Sequence, residues 1–258
     1  MTPHAEAMAA LDPEMLLAMP FPPVLEADTV HVWTFALEGS PSFVEKCRNA
    51  MSPEERHRAD RFVFAHDHLR YTVAHGVLRH LLSRYCDLAP DSLRFDVTQS
   101  GKPSLQTLDG RPAPLCFNLS HSDNRGMLAV SDRRELGADI ERVRTNVDAL
   151  SISRHYFFGS ERNAIEAALS EMRDSTFFRY WVAKEAVLKA QGIGLGFPLD
   201  RFCVTFLPDG HDARIETLDP TLLEPDWTIR MLSCEAGWAA AVAARGSDWK
   251  VKVEAASL

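Results

Sequence analysis

Cysteine is scarce in this chain of 258 residues: its five copies, Cys47, Cys86, Cys116, Cys203 and Cys234, are odd in number and far apart. None forms a C-x-x-C pair, so neither a disulfide framework nor a zinc site is indicated, and they are expected as buried apolar fillers. Long hydrophobic runs are missing too, and none approaches the roughly 18 apolar residues that span a bilayer. The first residues carry the acids Glu6, Asp12 and Glu14 rather than a basic n-region, which leads to the expectation of a cytoplasmic protein with no membrane partner. Positive charge is in deficit, at a formal net −8, which argues against a nucleic-acid partner, because phosphate-backbone recognition needs a basic face. No repeat at a fixed period is visible. What is plentiful is apolar content, 46% of the chain, enough for one large domain or two of ordinary size.

The order of elements suggests how that content is arranged. Residues 1–27 read as an N-terminal extension, with a short helix around Pro13 to Met19. A strand is expected near Val30 to Ala36, then a helix opening at Ser52-Pro53-Glu54-Glu55, where Ser52 caps, Pro53 takes the first helical position and Glu55 closes a capping box. An amphipathic helix over about Asp67 to Tyr85 spaces Leu69, Val73, Val77 and Leu81 along one face. Short β-rich runs follow at Leu93 to Val97, Leu115 to Leu119, Met127 to Ser131 and Leu136 to Ile140. Helices return over about Asp148 to Tyr156, Ser160 to Leu169 and Asp174 to Gln191, the last ended by Gly192 and Gly194. Strands near Phe202 to Leu207, Trp227 to Ser233 and Trp238 to Ala244 close the order. Strand, helices, strands occurs twice. The fold expected is therefore α+β in two similar lobes, residues 28–130 and 131–258, with a ligand cleft between them.

Basic residues are unevenly spread: Arg56, Arg58, Arg61, Arg70, Arg79 and Arg84 share residues 56 to 84 with five histidines. They form either a solvated helix face or a local anion pocket for a small polyphosphate.

Acids concentrate elsewhere. In Glu135-Leu-Gly-Ala-Asp-Ile-Glu141, the period of a strand places Asp139 and Glu141 on one face. In Trp181-Val-Ala-Lys-Glu-Ala-Val-Leu-Lys189, helical spacing stacks Trp181, Glu185 and Lys189. Taken alone, an Asp-x-Glu pair and a Glu–Lys pair four apart are common surface arrangements. The tryptophan on the same stripe, however, draws Glu185 and Lys189 toward a buried edge, where an unpaired charge costs several kcal/mol. Three carboxylates that meet repel one another, so the cluster persists only with a cation, with raised pKa values, or with enough separation for water to intervene. Magnesium suits such a set, because it takes oxygen ligands and completes its shell with phosphate while a nearby lysine covers the remaining charge. The residues thus point to metal-dependent phosphate chemistry.

Two smaller motifs lie between these regions. Gly101-Lys102-Pro103 is a stiff turn that displays a lysine, and Phe117-Asn118-Leu119-Ser120-His121-Ser122 ends a strand in hydroxyls, an amide and an imidazole suited to phosphate contacts.

Taken in order, GKPSL, FNLSHS, GADIE and WVAKEAVLKAQGIGL resemble the 4′-phosphopantetheinyl transferases of the surfactin-synthetase type, over about Val30 to Ala244. The resemblance also takes in the Ser-Pro-Glu-Glu-Arg helix, the segment at 155–161 and Gly-Phe-Pro-Leu at 196–199. It implies a monomeric two-lobed fold that moves the phosphopantetheine arm of coenzyme A onto a serine of an apo acyl or peptidyl carrier protein and releases adenosine 3′,5′-bisphosphate. The carrier would serve fatty-acid, polyketide or nonribosomal peptide synthesis. The resemblance also implies magnesium, or manganese in its place, held by Asp139, Glu141 and Glu185, with Lys189 on the phosphates. Glu185 would take the serine proton, with Asp139 as the other candidate. Lys102, Ser120, His121, Arg58, Arg70 and Lys189 would hold coenzyme A. Glu55 departs from the pattern, standing where many relatives carry a base. Alternatives are a module that binds coenzyme A or a carrier without transfer, and a magnesium-dependent phosphohydrolase. A carrier surface is expected within about Val143 to Phe178, where Phe157 and Phe158 are either exposed contacts or core.

Overall fold

The computed structural model describes residues 7–19, 24–97, 101–107, 110–111, 113–193, 197–218 and 226–254. Gly194 and Gly196 of the expected motifs lie outside the described residues. A short helix, α1 (Pro13–Ala18), precedes β1 (Thr29–Ala36), α2 (Pro41–Ala50), α3 (Pro53–Asp60) and α4 (Ala65–Cys86). Then come β2 (Arg94–Val97), β3 (Pro103–Gln106), β4 (Leu115–Ser122) and β5 (Arg125–Asp132). The same order repeats as β6 (Leu136–Arg142), α5 (Ala149–Tyr156), α6 (Gly159–Ala167), α7 (Ser170–Gln191), β7 (Phe202–Phe206), β8 (Asp212–Thr217), β9 (Trp227–Met231) and β10 (Trp238–Arg245). Each half is a strand, three helices and four strands, and the class is mixed α+β. A final strand, β11 (Lys250–Val253), crosses back to pair in parallel with β1.

Two sheets result, ordered β11-β1-β5-β4 and β6-β10-β9-β8-β7, with β2 and β3 as a separate hairpin. They pack against each other through Val30, Val32, Met127 and Ala129 of the first and Ala138, Ile140, Ala240 and Val242 of the second. On the far face of the first sheet, α4 sets Val73, Val77 and Leu81 against Trp33, Phe35, Leu128 and Val130. On the far face of the second, α7 sets Val182 and Ala186 against Ile229, Ala241 and Ala243. Burial of each large apolar side chain contributes roughly 1.5–3 kcal/mol, so these layers fix the sheet faces. Gly137 allows the second layer to be tight: a Cβ there would fall 2.2 Å from Ala186 O and Ala190 N of α7.

The expected helix at Ser52 is present with its capping box, Ser52 and Glu55 exchanging bonds of 3.2 and 2.8 Å. Leu16 and Leu17 of α1 enter the core of the first lobe. Four elements went unforeseen. Helix α2 carries its own signals, a Ser40 cap, Pro41 at the first position and apolar Phe43, Cys47 and Ala50. Strands β3, β8 and β11 hold too few apolar residues to register, and β11 is a lysine-bearing edge strand of the kind that discourages further pairing. Cys47 and Cys203 are buried fillers as expected, whereas the other three cysteines are half-buried. No described helix is long and apolar enough to cross a membrane.

Candidate active site

The two lobes meet edge to edge at β4 and β6, and this seam builds the site. Strand β6 pairs with β10 on one side only, so its other edge offers backbone N–H groups that need acceptors. Side chains of β4 supply them at a period of two: Asn118 Oδ1 accepts from Ala138 N at 2.9 Å, Ser120 Oγ from Ile140 N at 3.4 Å and Ser122 Oγ from Arg142 N at 3.2 Å. Both serines then donate to the acids of β6, Ser120 to Asp139 Oδ1 at 2.9 Å and Ser122 to Glu141 Oε2 at 2.5 Å. The polar run of the FNLSHS motif is therefore a side-chain ladder that closes one sheet edge and aims two carboxylates.

Helix α7 brings the other half, its end set by Gly192 in the left-handed region at φ 66°. Trp181 is half-buried, with ring centroids 6.3 Å from Phe157 and 5.8 Å from Phe177. One and two turns on, Glu185 is buried and Lys189 reaches the cleft. Lys189 Nζ lies 2.5 Å from Asp139 Oδ1 and 2.9 Å from Ser120 Oγ. The convergence expected of Asp139, Glu141, Glu185 and Lys189 is thus present, lining one interlobe cleft of about 530 Å³ with Lys102, Ser120 and His121.

The electrostatics of the cleft favour a cation. Burial pushes Asp139 up from the usual carboxylate range, against the opposing pull of Lys189. Glu141 is raised by burial, with Asp139 adding to the shift and Ser122 opposing it. Glu185 is pushed up to about 7 by burial and by the Asp139 charge, only partly offset by Lys189. Asp139 Oδ2 is buried without a hydrogen-bond partner, and no hydrogen bond reaches the Glu185 carboxylate among the described residues. The carboxylates nevertheless do not form a closed cage: among the described residues no three acid, histidine or cysteine side chains close on one point at metal-ligand geometry. Lys189 and the two serines hold Asp139 Oδ1 and Glu141 Oε2, leaving Asp139 Oδ2 and Glu185 open.

The remaining expected residues divide. His121 is exposed at the cleft, lowered by partial burial and then by the positive charges of His75, Lys189 and Arg70. Arg70 bonds Asp123 at 2.7 Å, next to this histidine. Arg58 is exposed on α3, its guanidinium 5.7 Å from the Tyr71 ring centroid, and does not line the cleft. Ser120 is only 4% exposed, so its hydroxyl serves Asp139, Lys189 and the β6 edge rather than standing free for phosphate. Lys102 lines the cleft, yet its ammonium donates to Leu136 O and Ala190 O at 3.1 and 2.5 Å instead of being displayed. Glu55, the departure from pattern, pairs with Arg79 at 2.6 Å and His75 at 3.1 Å beneath α4, which gives it a packing role. Phe157 is core at 2% exposure, and Phe158 is half-buried. Asn118 and Ser122, expected as phosphate contacts, instead serve β6, and Arg144, whose Nη2 lies 3.6 Å from Glu141 Oε2, was not foreseen. The strand period of the FNLSHS run is what sets Asn118, Ser120 and Ser122 on the face toward β6.

Comparison with known proteins follows the same two halves. Residues 135–243 match the family described as the 4′-phosphopantetheinyl transferase superfamily. Residues 39–133 match the family described as 4′-phosphopantetheinyl transferase, N-terminal. The chain is 33% identical over 236 residues to the 4′-phosphopantetheinyl transferase HetI of a Nostoc species, covering 91% of this chain and 96% of that protein. It is 30% identical over 167 residues to the 4′-phosphopantetheinyl transferase Sfp of Bacillus subtilis, 65% of this chain and 71% of Sfp. It is also 28% identical over 211 residues to the mouse L-aminoadipate-semialdehyde dehydrogenase-phosphopantetheinyl transferase, 77% of this chain and 68% of that one.

Proposed function

Because the chain belongs to the 4′-phosphopantetheinyl transferase superfamily, we propose that the interlobe cleft binds the pyrophosphate of coenzyme A and that Glu185 takes the proton from the attacking serine. The enzyme moves the phosphopantetheine arm of coenzyme A to a carrier protein. In that reaction the serine oxygen bonds to the β-phosphorus, the bond to the bridging pyrophosphate oxygen breaks, and adenosine 3′,5′-bisphosphate leaves with the electron pair. Glu185 suits the proton transfer because burial and the Asp139 charge push it up to about 7, where a carboxylate is basic enough to accept a proton near neutral pH. Lys189, held on Asp139 Oδ1, sits where its ammonium can turn to the phosphates as charge develops. Arg70 and His121 supply positive and hydrogen-bonding groups beside the cleft for the nucleotide phosphates. Both walls of the cleft come from one chain, which supports action as a monomer, read here as cytoplasmic.

The donor set fits magnesium, with manganese as a substitute: Asp139, Glu141 and Glu185 would hold it, all through oxygen. When bound it would neutralise pyrophosphate charge. The observation that carries this reading is the buried, unpartnered Asp139 Oδ2 beside the bond-free Glu185 carboxylate in a cleft where all three acids are raised. The test is to incubate the protein with coenzyme A, magnesium and a panel of apo acyl and peptidyl carriers. The carrier serine should gain one phosphopantetheine mass and lose that gain when magnesium is chelated. Coenzyme A binding with no mass gain on any carrier would leave a binding module instead, and release of pantetheine phosphate without a carrier would indicate a hydrolase.

A further inference from the structure

The Gly-Lys-Pro turn was expected to display a phosphate-binding lysine, and its lysine is engaged elsewhere. Gly101 adopts φ 88°, a conformation that favours glycine, and Pro103 opens β3, so the turn projects Lys102 from the first lobe in a fixed direction. The ammonium meets two backbone carbonyls of the second lobe, Ala190 O at 2.5 Å and Leu136 O at 3.1 Å.

The identity of those carbonyls matters. The last turn of a helix leaves carbonyls without intrahelical partners. At the end of α7, Gly192 N and Ile193 N serve Leu188 O and Lys189 O, and Lys102 serves the next one, Ala190 O. A cation there also meets the negative end of the helix dipole. Leu136 O belongs to the first residue of β6. Lys102 therefore ties the end of the helix that carries Glu185 and Lys189 to the start of the strand that carries Asp139 and Glu141. Ala190 directly follows Lys189, and Leu136 lies three residues before Asp139. Gly137, between them, already presses β6 onto Ala186 and Ala190.

We propose that Lys102 is a positioning residue, an interlobe clasp that holds the two acid-bearing elements in register, rather than a ligand of the coenzyme A phosphates. The inference rests on the transferase reading for its kinetic consequences, and its structural half stands apart from that reading. Burial between the lobes lowers Lys102 from the ordinary lysine range, in keeping with an enclosed ammonium.

The two roles separate in Lys102→Met, which keeps the aliphatic stem and removes the donors. A clasp predicts coenzyme A binding, by calorimetry at several salt concentrations, within about twofold of the parent protein and with the same salt slope. It predicts kcat lowered by about 10- to 100-fold and a higher half-saturating magnesium concentration, as expected when support behind a metal-site residue is lost. Lys102→Arg, which retains charge and donors, should recover part of kcat. A tenfold or larger loss of coenzyme A affinity with a shallower salt slope overturns the proposal, as does an unchanged kcat.

Should the variant not fold, the parent protein gives the answer through amine acetylation read by mass spectrometry. Lys102 should react at least tenfold more slowly than Lys250, whose side chain is 61% exposed, with or without coenzyme A. Protection only when coenzyme A is present overturns the clasp. Labelling needs no turnover, so a failure of the transferase reading and a failure of the clasp show up in different measurements.

Discussion

The first lobe sets two aromatics where the second sets two acids. Trp33 pairs with Leu128 across β1 and β5, and Asp139 pairs with Ala241 across β6 and β10. Two residues on, Phe35 pairs with Gly126 and Glu141 with Ala239. Each pair sits on the strand face that meets its lobe's long helix, α4 or α7, both 22 residues long. The correspondence extends into those helices. Arg79 and Lys184 are each the fifteenth helical residue, and each pairs with a glutamate in the third position of the preceding helix whose carboxylate accepts from the N-cap N–H, Glu55 at 2.6 Å and Glu161 at 2.9 Å. The next residue is His80 in one helix and Glu185 in the other, and four further on stand Arg84 and Lys189. One architecture thus serves as a packed core in the first lobe and as chemistry in the second, the difference residing in a few side chains.

If that comparison is right, equivalent substitutions should have opposite signatures. Asp139→Asn or Glu185→Gln should lower transfer to the carrier by at least about 10²–10³-fold, the scale of losing a group that stabilises charge in the transition state. The thermal midpoint of the metal-free protein should hold or rise, because each change removes a carboxylate whose burial raises it. Trp33→Ala should do the reverse, costing about 3–5 kcal/mol of stability as a large core truncation does. Activity assays beside urea unfolding distinguish the two signatures. Equal destabilisation by Asp139→Asn and Trp33→Ala would break the comparison.

The buried ion pairs offer a test of similar energetic scale. Glu161 and Lys184 are 1% and 0% exposed, whereas Glu55 is 15% exposed over Arg79 at 2%. Burial raises Glu161 and lowers Lys184 despite their contact, so the second lobe holds its pair against desolvation. For Glu55 burial is the largest single influence, yet His75, the Ser52 N–H and Arg79 together outweigh it and bring the carboxyl below its usual value. Glu161→Ala strands a buried ammonium and should cost about 3–5 kcal/mol. Glu55→Ala should cost less because its site is more open, since in both variants the cation keeps two carbonyl partners, Pro90 O and Leu93 O for Arg79 and Leu199 O and Phe202 O for Lys184. Denaturant midpoints of the two variants would order them, and the opposite order would mean that position in the lobe, rather than burial, decides the cost.

Much of this pattern was legible in the chain and some was not, for physical reasons. The order of strands and helices, the shared face of Asp139 and Glu141, and the stripe of Trp181, Glu185 and Lys189 all follow from local periodicity, which sequence carries directly. Which partner a polar group chooses depends on elements far apart in the chain. Lys102 meets Ala190 across 88 residues and Ser120 meets Lys189 across 69, so the free lysine and free hydroxyl that the motifs suggested became a bond to two carbonyls and a strut. Glu55 looked like a missing phosphate contact because its partners Arg79 and His75 lie in another helix. Strand β3 holds a single interior apolar residue, Leu105, and β11 alternates as Lys-Val-Lys-Val over only four residues, too short a run to stand out as a strand.

A pH titration sharpens the comparison through Glu185, for which the first lobe has no acidic counterpart. The folded carboxyl is pushed up to about 7 from an ordinary value of 4.5. Below about pH 4.5 both folded and unfolded chains hold the proton, and Glu185 contributes no difference. Between 4.5 and about 7 the folded chain keeps a proton that the unfolded chain releases, so stability falls as pH rises, and above about 7 the loss is complete. At 1.36 kcal/mol per unit, Glu185 accounts for at most about 3 kcal/mol of that fall. In metal-free protein, denaturant unfolding should therefore show less stability at pH 8 than at pH 5 from this group, and Glu185→Gln should flatten the slope and raise stability at pH 8. Magnesium should recover stability at pH 8 in the parent and much less in Glu185→Gln, since a cation offsets a charge that the variant lacks. His80, which takes the place of Glu185 in α4, is lowered by burial from 6.5 to about 4, so up to about pH 6.5 the unfolded chain holds a proton that the folded chain lacks and stability rises with pH; His80→Gln should therefore steepen the fall between pH 5 and 8 rather than flatten it. A flattening there equal to that of Glu185→Gln would mean the pH response belongs to the shared scaffold rather than to the acid-bearing lobe.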